Sequence, residues 1–350
     1  MKSEARDLNK NALAERLCAE YDGLRTPTRL TFVPKGEEAY AYLAESGTGR
    51  WFVKAHLVAD EGAATRLDAA LRATLALPLT GVVAPVPTRR GAATIRFAGY
   101  VVAVFPFLEG AASCWETPFT DADQTRAATL LAALHETAPA VLASFSLPQE
   151  DFILPHSDLL PRVLDQAAAM ASPPAGSFAD RARDVLLAQA SDLRATLDRL
   201  ENARPARLAQ PLDYVVTHGD PNRANLLRDI EDGALHLVDW GALGVRPRER
   251  DLFFFTEAGF GDFLSAYVCA LPQTPRLHAD VFTFYAYEWA FQEIAEYGAR
   301  LLFGHNEGRE DKTSWADLCE YLPLRHREIA RGETELRATL NKVLGVAERN

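Results

Sequence analysis

The chain has 350 residues, 48% of them apolar, which is enough for one large domain or two lobes with a sizeable core. A formal net charge of -11 with no basic run excludes nucleic acid as a partner, and the lack of any 18-residue apolar run excludes a membrane span. Cys18, Cys114, Cys269 and Cys319 are scattered without a CxxC pair, which argues against a zinc or dithiol site and for a reducing cytoplasm. The acidic balance suits either plain solubility or a cationic substrate.

From the N-terminus, Leu8, Ala12, Leu13 and Leu17 within a charged stretch predict an amphipathic helix over residues 1–21, not a signal peptide. Residues 29–33, 38–43 and 51–54 read as strands, joined by turns at 34–36 and at Ser46-Gly47-Thr48-Gly49, and together they form an antiparallel sheet. The turn Lys35-Gly36-Glu37-Glu38 holds a single glycine and reads as an ordinary hairpin turn. Lys54 ends the third strand. A helix follows from about Asp60 to Leu77, with Leu67, Leu71 and Leu75 at helical spacing and with Glu61 and Asp68 as its acidic residues. Residues 93–97 and 100–108 read as two more strands around a turn at Gly99, the second running into a connector with Pro106 and Gly110.

From Thr120 the pattern turns helical. Thr120 or Asp121 caps a helix that ends near His135, which reads as a packing or capping histidine, and a second helix spans residues 180–200. Two apolar runs then stop at polar residues: Tyr214 to Thr217 leads into His218-Gly219-Asp220-Pro221-Asn222-Arg223-Ala224-Asn225, and Leu235 to Val238 leads into Asp239-Trp240-Gly241. Two short strands therefore each deliver an aspartate. Asp251 follows a charged connection and either caps the next helix or, buried, ties down the backbone of the first polar loop. A last helix over residues 280–302 is aromatic on one side and carries Glu288, Gln292 and Glu296 at i, i+4 and i+8, a row that reads as a solvated face or as a site for an amine-bearing ligand.

This layout fits phosphoryl transfer, which asks a protein mainly for positioning and charge neutralisation. Asp220 is the candidate catalytic residue that orients the attacking hydroxyl and takes its proton. Asn225 and Asp239 offer the hard oxygen ligands that Mg2+ prefers. Lys54 is placed to reach the nucleotide phosphates, with Glu61 favoured over Asp68 as its acidic partner because of its longer side chain. The connector after residue 100 would carry the base: Phe105, Phe107 and Leu108 supply apolar side chains and backbone groups for adenine. His218 anchors the loop, and Gly219 permits its tight backbone.

The run His218 to Asn225, together with Asp239-Trp240-Gly241, resembles the signature of the aminoglycoside phosphotransferase family, relatives of the protein kinases. Trp51 to Lys54, Phe105-Pro106-Phe107, Leu131 to His135 and Glu249 to Leu252 fall in that family's order. The resemblance implies an α+β, bilobal, protein-kinase-like fold with an N-terminal antiparallel sheet lobe and a mainly helical C-terminal lobe. Its parts would be a nucleotide-binding lobe over 1–105, a hinge at 106–110, and a catalytic and substrate-binding lobe over 111–350. It also implies ATP, or GTP in its place, as phosphoryl donor. Tyr287 to Gly298 looks most like the spectinomycin phosphotransferase branch, so Glu288, Trp289, Glu293 and Glu296 are expected to hold a small cationic acceptor. A metabolic kinase for choline, homoserine or methylthioribose, or a catalytically silent nucleotide-binding relative, would share the same motif. The short stretch between Gly241 and Asp251 leaves little room for a peptide platform, which favours a small-molecule acceptor.

Overall fold

The computed structural model describes residues 4–5, 7–34, 39–58, 60–154, 157–171, 173–257, 259–304 and 308–345; the expected turn at 35–38 lies outside them. In chain order the elements begin α1 (Lys10–Glu20), β1 (Arg29–Val33), β2 (Ala39–Ser46), β3 (Gly49–Leu57), α2 (Glu61–Thr74), β4 (Thr94–Phe97) and β5 (Tyr100–Pro106). Next come β6 (Ala111–Ser113), α3 (Asp121–His135), α4 (Leu159–Ala169), α5 (Phe178–Leu208), β7 (Tyr214–Thr217), β8 (Leu226–Asp229) and β9 (Leu235–Leu237). The chain closes with β10 (Gly244–Pro247), α6 (Glu249–Leu252), α7 (Phe260–Cys269), α8 (Ala279–Phe303), α9 (Arg309–Tyr321) and α10 (His326–Leu344). The packing divides them into two units, residues 1–149 with 214–275 and residues 150–213 with 276–350. The connector at 106–110 lies inside the first unit, so this division falls elsewhere than at the expected hinge.

In the first unit an antiparallel sheet runs in the order β1-β2-β3-β5-β4. Alternation sends Tyr42, Val53, Ala55, Tyr100, Val102 and Val104 to one face, where they pack with Leu13, Leu17 and Tyr21 of the α1 region. The same alternation puts Phe52, Lys54 and His56 on the opposite face. Register adds Phe105 opposite Phe52 and Ala103 opposite Lys54, so a row of small and aromatic side chains flanks the lysine. Lys54 thus sits within a nine-residue strand, not at its end.

The two expected strands before the aspartates form as β7 and β9, but in separate ladders. β7 pairs with β10, whereas β9 pairs with β8 in the order β6-β8-β9. The cause is local: Leu226 to Asp229 is long enough to make a hairpin with β9 across the turn near Asp232, and that hairpin claims β9. Asp123, fully buried at the start of α3, completes a capping box with Thr120 and accepts from Arg228 at 2.6 Å, which ties β8 to α3.

In the second unit α4, α5, α9 and α10 pack on α8. Phe282, Phe284, Tyr285, Phe291 and Ile294 of α8 are buried, and so is Glu288, so the acidic row expected on a solvated face is covered at its first member. Gly298 is what allows α4 close to α8, because a Cβ there would come within 2.7 Å of Val163 Cγ1. α5 runs to Leu208, past the expected end, with Pro205 inside it. The Arg207 guanidinium donates to the Leu200 carbonyl at 2.9 Å, one residue before the Glu201 carbonyl that Pro205 leaves without its helical donor.

Candidate active site

The loop after β7 is built on buried polar groups. His218 is fully buried, its ring edge-on to Trp240 at 4.5 Å. Its Nε2–H donates to the Val238 carbonyl at 2.9 Å, and its Nδ1 accepts the Asp220 N–H at 3.2 Å. Those partners specify a neutral imidazole, and burial holds its pKa below the ordinary histidine value. The side chain thereby joins the loop before Asp220 to the strand before Asp239. Gly219 has φ +88, and a Cβ there would collide with the Ala242 carbonyl oxygen. Gly219→Ala is expected to destabilise the protein by about 2–5 kcal/mol, from left-handed strain plus the clash. Urea denaturation checks this, and an unchanged midpoint would show that the loop has room.

Asp251 takes the second of the two roles open to it. It is fully buried, and its Oδ2 and Oδ1 accept the backbone N–H groups of His218 and Gly219, each at 2.8 Å. His135 Nε2–H also donates to Oδ2, at 3.1 Å. His135 Nδ1 in turn accepts from the Tyr267 hydroxyl at 2.7 Å, which accepts from Arg248 Nη1 at 2.8 Å. Burial keeps His135 below its usual pKa and neutral. Burial opposes the Asp251 charge, but the His135 bond and the Gly219 N–H outweigh it and hold the carboxyl below its usual range. His135 is therefore more than a packing or capping residue: it links α3 and α7 to the carboxylate that shapes the loop.

At the loop's tip both Asp220 carboxylate oxygens accept amide N–H groups. Asn222 Nδ2 donates to Oδ1 at 2.7 Å and Asn225 Nδ2 to Oδ2 at 2.9 Å. Asn225 also donates to the Asp220 carbonyl at 2.9 Å, and its own carbonyl accepts the Val238 N–H at 3.0 Å, beside Asp239. Asp239 adopts left-handed backbone angles, φ 70 and ψ 63, where β9 turns into the 240–242 segment. Its Oδ2 lies 2.6 Å from Lys54 Nζ. Burial works against the Asp239 charge, but the Lys54 ammonium prevails and holds the carboxyl below its usual pKa.

The expected Lys54–Glu61 pair is not formed. Glu61 opens α2, 84% exposed, and pairs with Arg96 at 2.7 Å. Asp68 accepts from Thr94 at 2.5 Å and pairs with Arg72. The physical reason is position: Glu61 sits in the first turn of α2, directed to the β4 edge, whereas Asp239 is delivered straight to the lysine.

The donor set fits Mg2+. Asn225 spends its amide nitrogen on Asp220, which leaves Oδ1 as a fixed hard oxygen, and Asp239 keeps Oδ1 beside the oxygen that faces Lys54. Among the described residues no three His, Cys, Asp or Glu side chains gather into a cage. Two protein oxygens match an ion that takes its remaining ligands from phosphates and water.

Of the other expected residues, Phe105 is buried on the Lys54 face of the sheet. Phe107 and Leu108 are half-buried just past β5, and the Arg50 guanidinium covers the Phe107 ring at 4.5 Å while pairing with Glu109. Glu288, Trp289, Glu293 and Glu296 belong to α8 of the second unit. Trp289 Nε1 donates to the Tyr321 hydroxyl at 3.1 Å. Burial, with Glu293 adding its charge, pushes that phenol up to about 12. Glu296 accepts from Gln292 at 3.2 Å and meets Arg300 at 3.4 Å. Asn222, Tyr267 and Arg248 escaped the sequence reading. A polar residue two positions after Asp220 was the one available sign of the first; the other two depend on packing between distant segments.

A sheet of this topology, with a loop that presents Asp220 and Asn225 against Asp239 and Lys54, defines a phosphotransferase of kinase-like fold. The sequence profile of the phosphotransferase enzyme family (APH) matches residues 29–298, and the chain belongs to that family. Protein StrN from Streptomyces griseus is 29% identical over 304 residues, which cover 84% of this chain and 86% of that protein. A solved spectinomycin phosphotransferase, in complex with ADP and spectinomycin, is similar with TM-score 0.72 at 20% identity, covering 94% of this chain and 99% of that one. A microcompartment-associated aminopropanol kinase is similar with TM-score 0.58 at 21% identity, covering 92% of this chain and 98% of that one. At these identities the two structures establish the fold, an antiparallel sheet followed by a mainly helical C-terminal part. Among the described residues no single helix is long and apolar enough to cross a membrane.

Proposed function

We propose that the chain is an ATP-dependent O-phosphotransferase acting on a hydroxyl of a small cationic molecule, an aminocyclitol or aminoglycoside such as spectinomycin. The observation that carries this reading is the convergence of Asp220, Asn225, Asp239 and Lys54 within one packing unit, in a chain of the phosphotransferase family. The spectinomycin complex of a protein with the same fold supports that choice of acceptor.

Asp220 holds the acceptor hydroxyl and receives its proton as the oxygen bonds to the terminal phosphorus, and ADP leaves with the bridging oxygen. Lys54 neutralises phosphate charge from the floor of the sheet, exchanging Asp239 for the nucleotide. Asn225 and Asp239 would hold Mg2+, which supplies charge neutralisation on the phosphate oxygens when bound. Phe105, Phe107 and Leu108 line the base, in the nucleotide part formed by residues 1–105 and the connector 106–110. Glu288, Trp289, Glu293 and Glu296 are assigned to the amines on chemistry, because carboxylates beside aromatic rings favour cations.

The test is a phosphorylation screen of the purified protein with Mg2+ and either ATP or GTP. The acceptors are spectinomycin, other aminoglycosides, choline, homoserine and methylthioribose, and the readout is nucleoside diphosphate release with product mass. Phosphorylated spectinomycin or aminoglycoside is expected. Turnover confined to another acceptor would overturn the substrate class, and no turnover with any of them would overturn the reading.

A further inference from the structure

Between Asp220 and Asn225 the loop carries Pro221-Asn222-Arg223-Ala224. Residues 223–225 form a single 3-10 turn, and Asn222 caps it, its Oδ1 accepting the Ala224 N–H at 2.8 Å. That bond decides the orientation of the amide, because an oxygen must face a backbone N–H. Nδ2 is therefore turned to Asp220 Oδ1, at 2.7 Å. On the other side Asn225 Nδ2 holds Oδ2 at 2.9 Å.

We infer that Asn222 is a positioning residue for phosphoryl transfer: its side-chain amide locks the Asp220 carboxylate from the side opposite Asn225, so that the base is aligned before the acceptor arrives. This rests on the reading of Asp220 as the residue that takes the hydroxyl proton. An amide holds each carboxylate oxygen, and a carboxylate oxygen can accept more than one hydrogen bond, so the lock itself does not prevent a hydroxyl from donating to it. Rotation about the Asp220 side chain would break both amide bonds at once, which makes the alignment stiffer than either bond alone. Pro221 adds to this by fixing its own φ between the two residues that must stay in register. A base held in place needs no reorganisation at the moment of reaction, and misplacement by about 1 Å can cost about a hundredfold in rate.

The same side chain caps a turn, so the experiment must separate the two roles. Asn222→Ser retains a hydroxyl that can accept the Ala224 N–H but has no group to reach Asp220; Asn222→Ala removes both. Crystal structures of the native protein and of Asn222→Ser are compared first. Turnover is then measured as ADP release with Mg2+ and ATP against the acceptor panel above, and in its absence, with Asp220→Asn alongside. The expected result is an Asp220 carboxylate that leaves its native rotamer in Asn222→Ser. With it kcat should fall by about 10–100-fold at unchanged KM for ATP, with native thermal stability. A carboxylate that stays in its native rotamer, or native kcat, overturns the inference. A fall in thermal midpoint with kcat per folded molecule unchanged also overturns it, in favour of a cap alone. Native turnover in Asp220→Asn would instead overturn the reading of the base, whereas the crystal comparison still decides whether Asn222 locks the carboxylate.

Discussion

Asp220→Asn is expected to lower kcat by about two to four orders of magnitude, the range that a positioned general base contributes, while nucleotide affinity is unchanged. The replacement is isosteric and keeps one oxygen at the end of the side chain. It removes the capacity to take a proton, and it sets an NH2 group against one of the two amide donors, Asn222 or Asn225, that now hold the carboxylate. Lys54, Asn225 and Asp239 are untouched, so the phosphate-binding residues remain. Steady-state kinetics together with calorimetric titration of nucleotide would check both halves, and near-native turnover would remove Asp220 from the chemistry.

Asp251→Asn is expected to cost about 2–5 kcal/mol of stability and to disorder the loop, the magnitude of leaving one or two buried N–H donors without an acceptor. Both Asp251 oxygens face N–H donors from His218, Gly219 and His135, so an amide must point its own NH2 at one of them. The same centre sets the pH dependence. His135 and His218 are held neutral with pKa values below the ordinary 6.5, so the unfolded chain binds protons there that the folded chain does not. Their contribution is complete above pH 6.5 and is lost as pH falls below it toward their folded values. The depressed carboxyls of Asp251, Asp239 and Asp123 add a second loss, starting below their ordinary 3.8. The thermal midpoint of the native protein should therefore fall on going from pH 7.5 to 5.5, above the range in which those three carboxyls titrate. A flat midpoint over that interval would show that the two histidines bind protons in the fold as they do in the unfolded chain.

Much of the first unit is legible in the sequence because its signals are local. Alternation over residues 29–33 and 38–43, turn residues at 46–49, and Thr120 or Asp121 as a cap point to strands, a hairpin and a helix start without reference to distant parts of the chain, and β1, β2 and α3 form there. Asp220, Asn225 and Asp239 are legible for a similar reason, since the two aspartates follow apolar runs and Asn225 lies five residues after the first of them in the same loop. The partner of Lys54 was not legible. Glu61 and Asp68 both lie on the following helix, and only the tertiary structure, which brings Asp239 to within 2.6 Å of Lys54, shows which carboxylate meets the ammonium. The acidic row on α8 misled in the opposite way: its i, i+4, i+8 spacing suggests a solvated stripe, but a helix packed by four others buries Glu288.

By itself the sequence determined the strand and helix positions of the sheet region and the candidate groups for the chemistry, because both follow from periodicity and from short polar loops. Only the tertiary structure decided that Asp251 and His135 brace the loop and that Asn222 faces Asp220. The Asp251 contacts join residues 32 to 116 positions apart, and the Asn222 contact depends on which way one amide is turned, and neither is written in local spacing. The loop's chemistry is a property of its own residues, whereas its rigidity comes from residues brought to it by the fold.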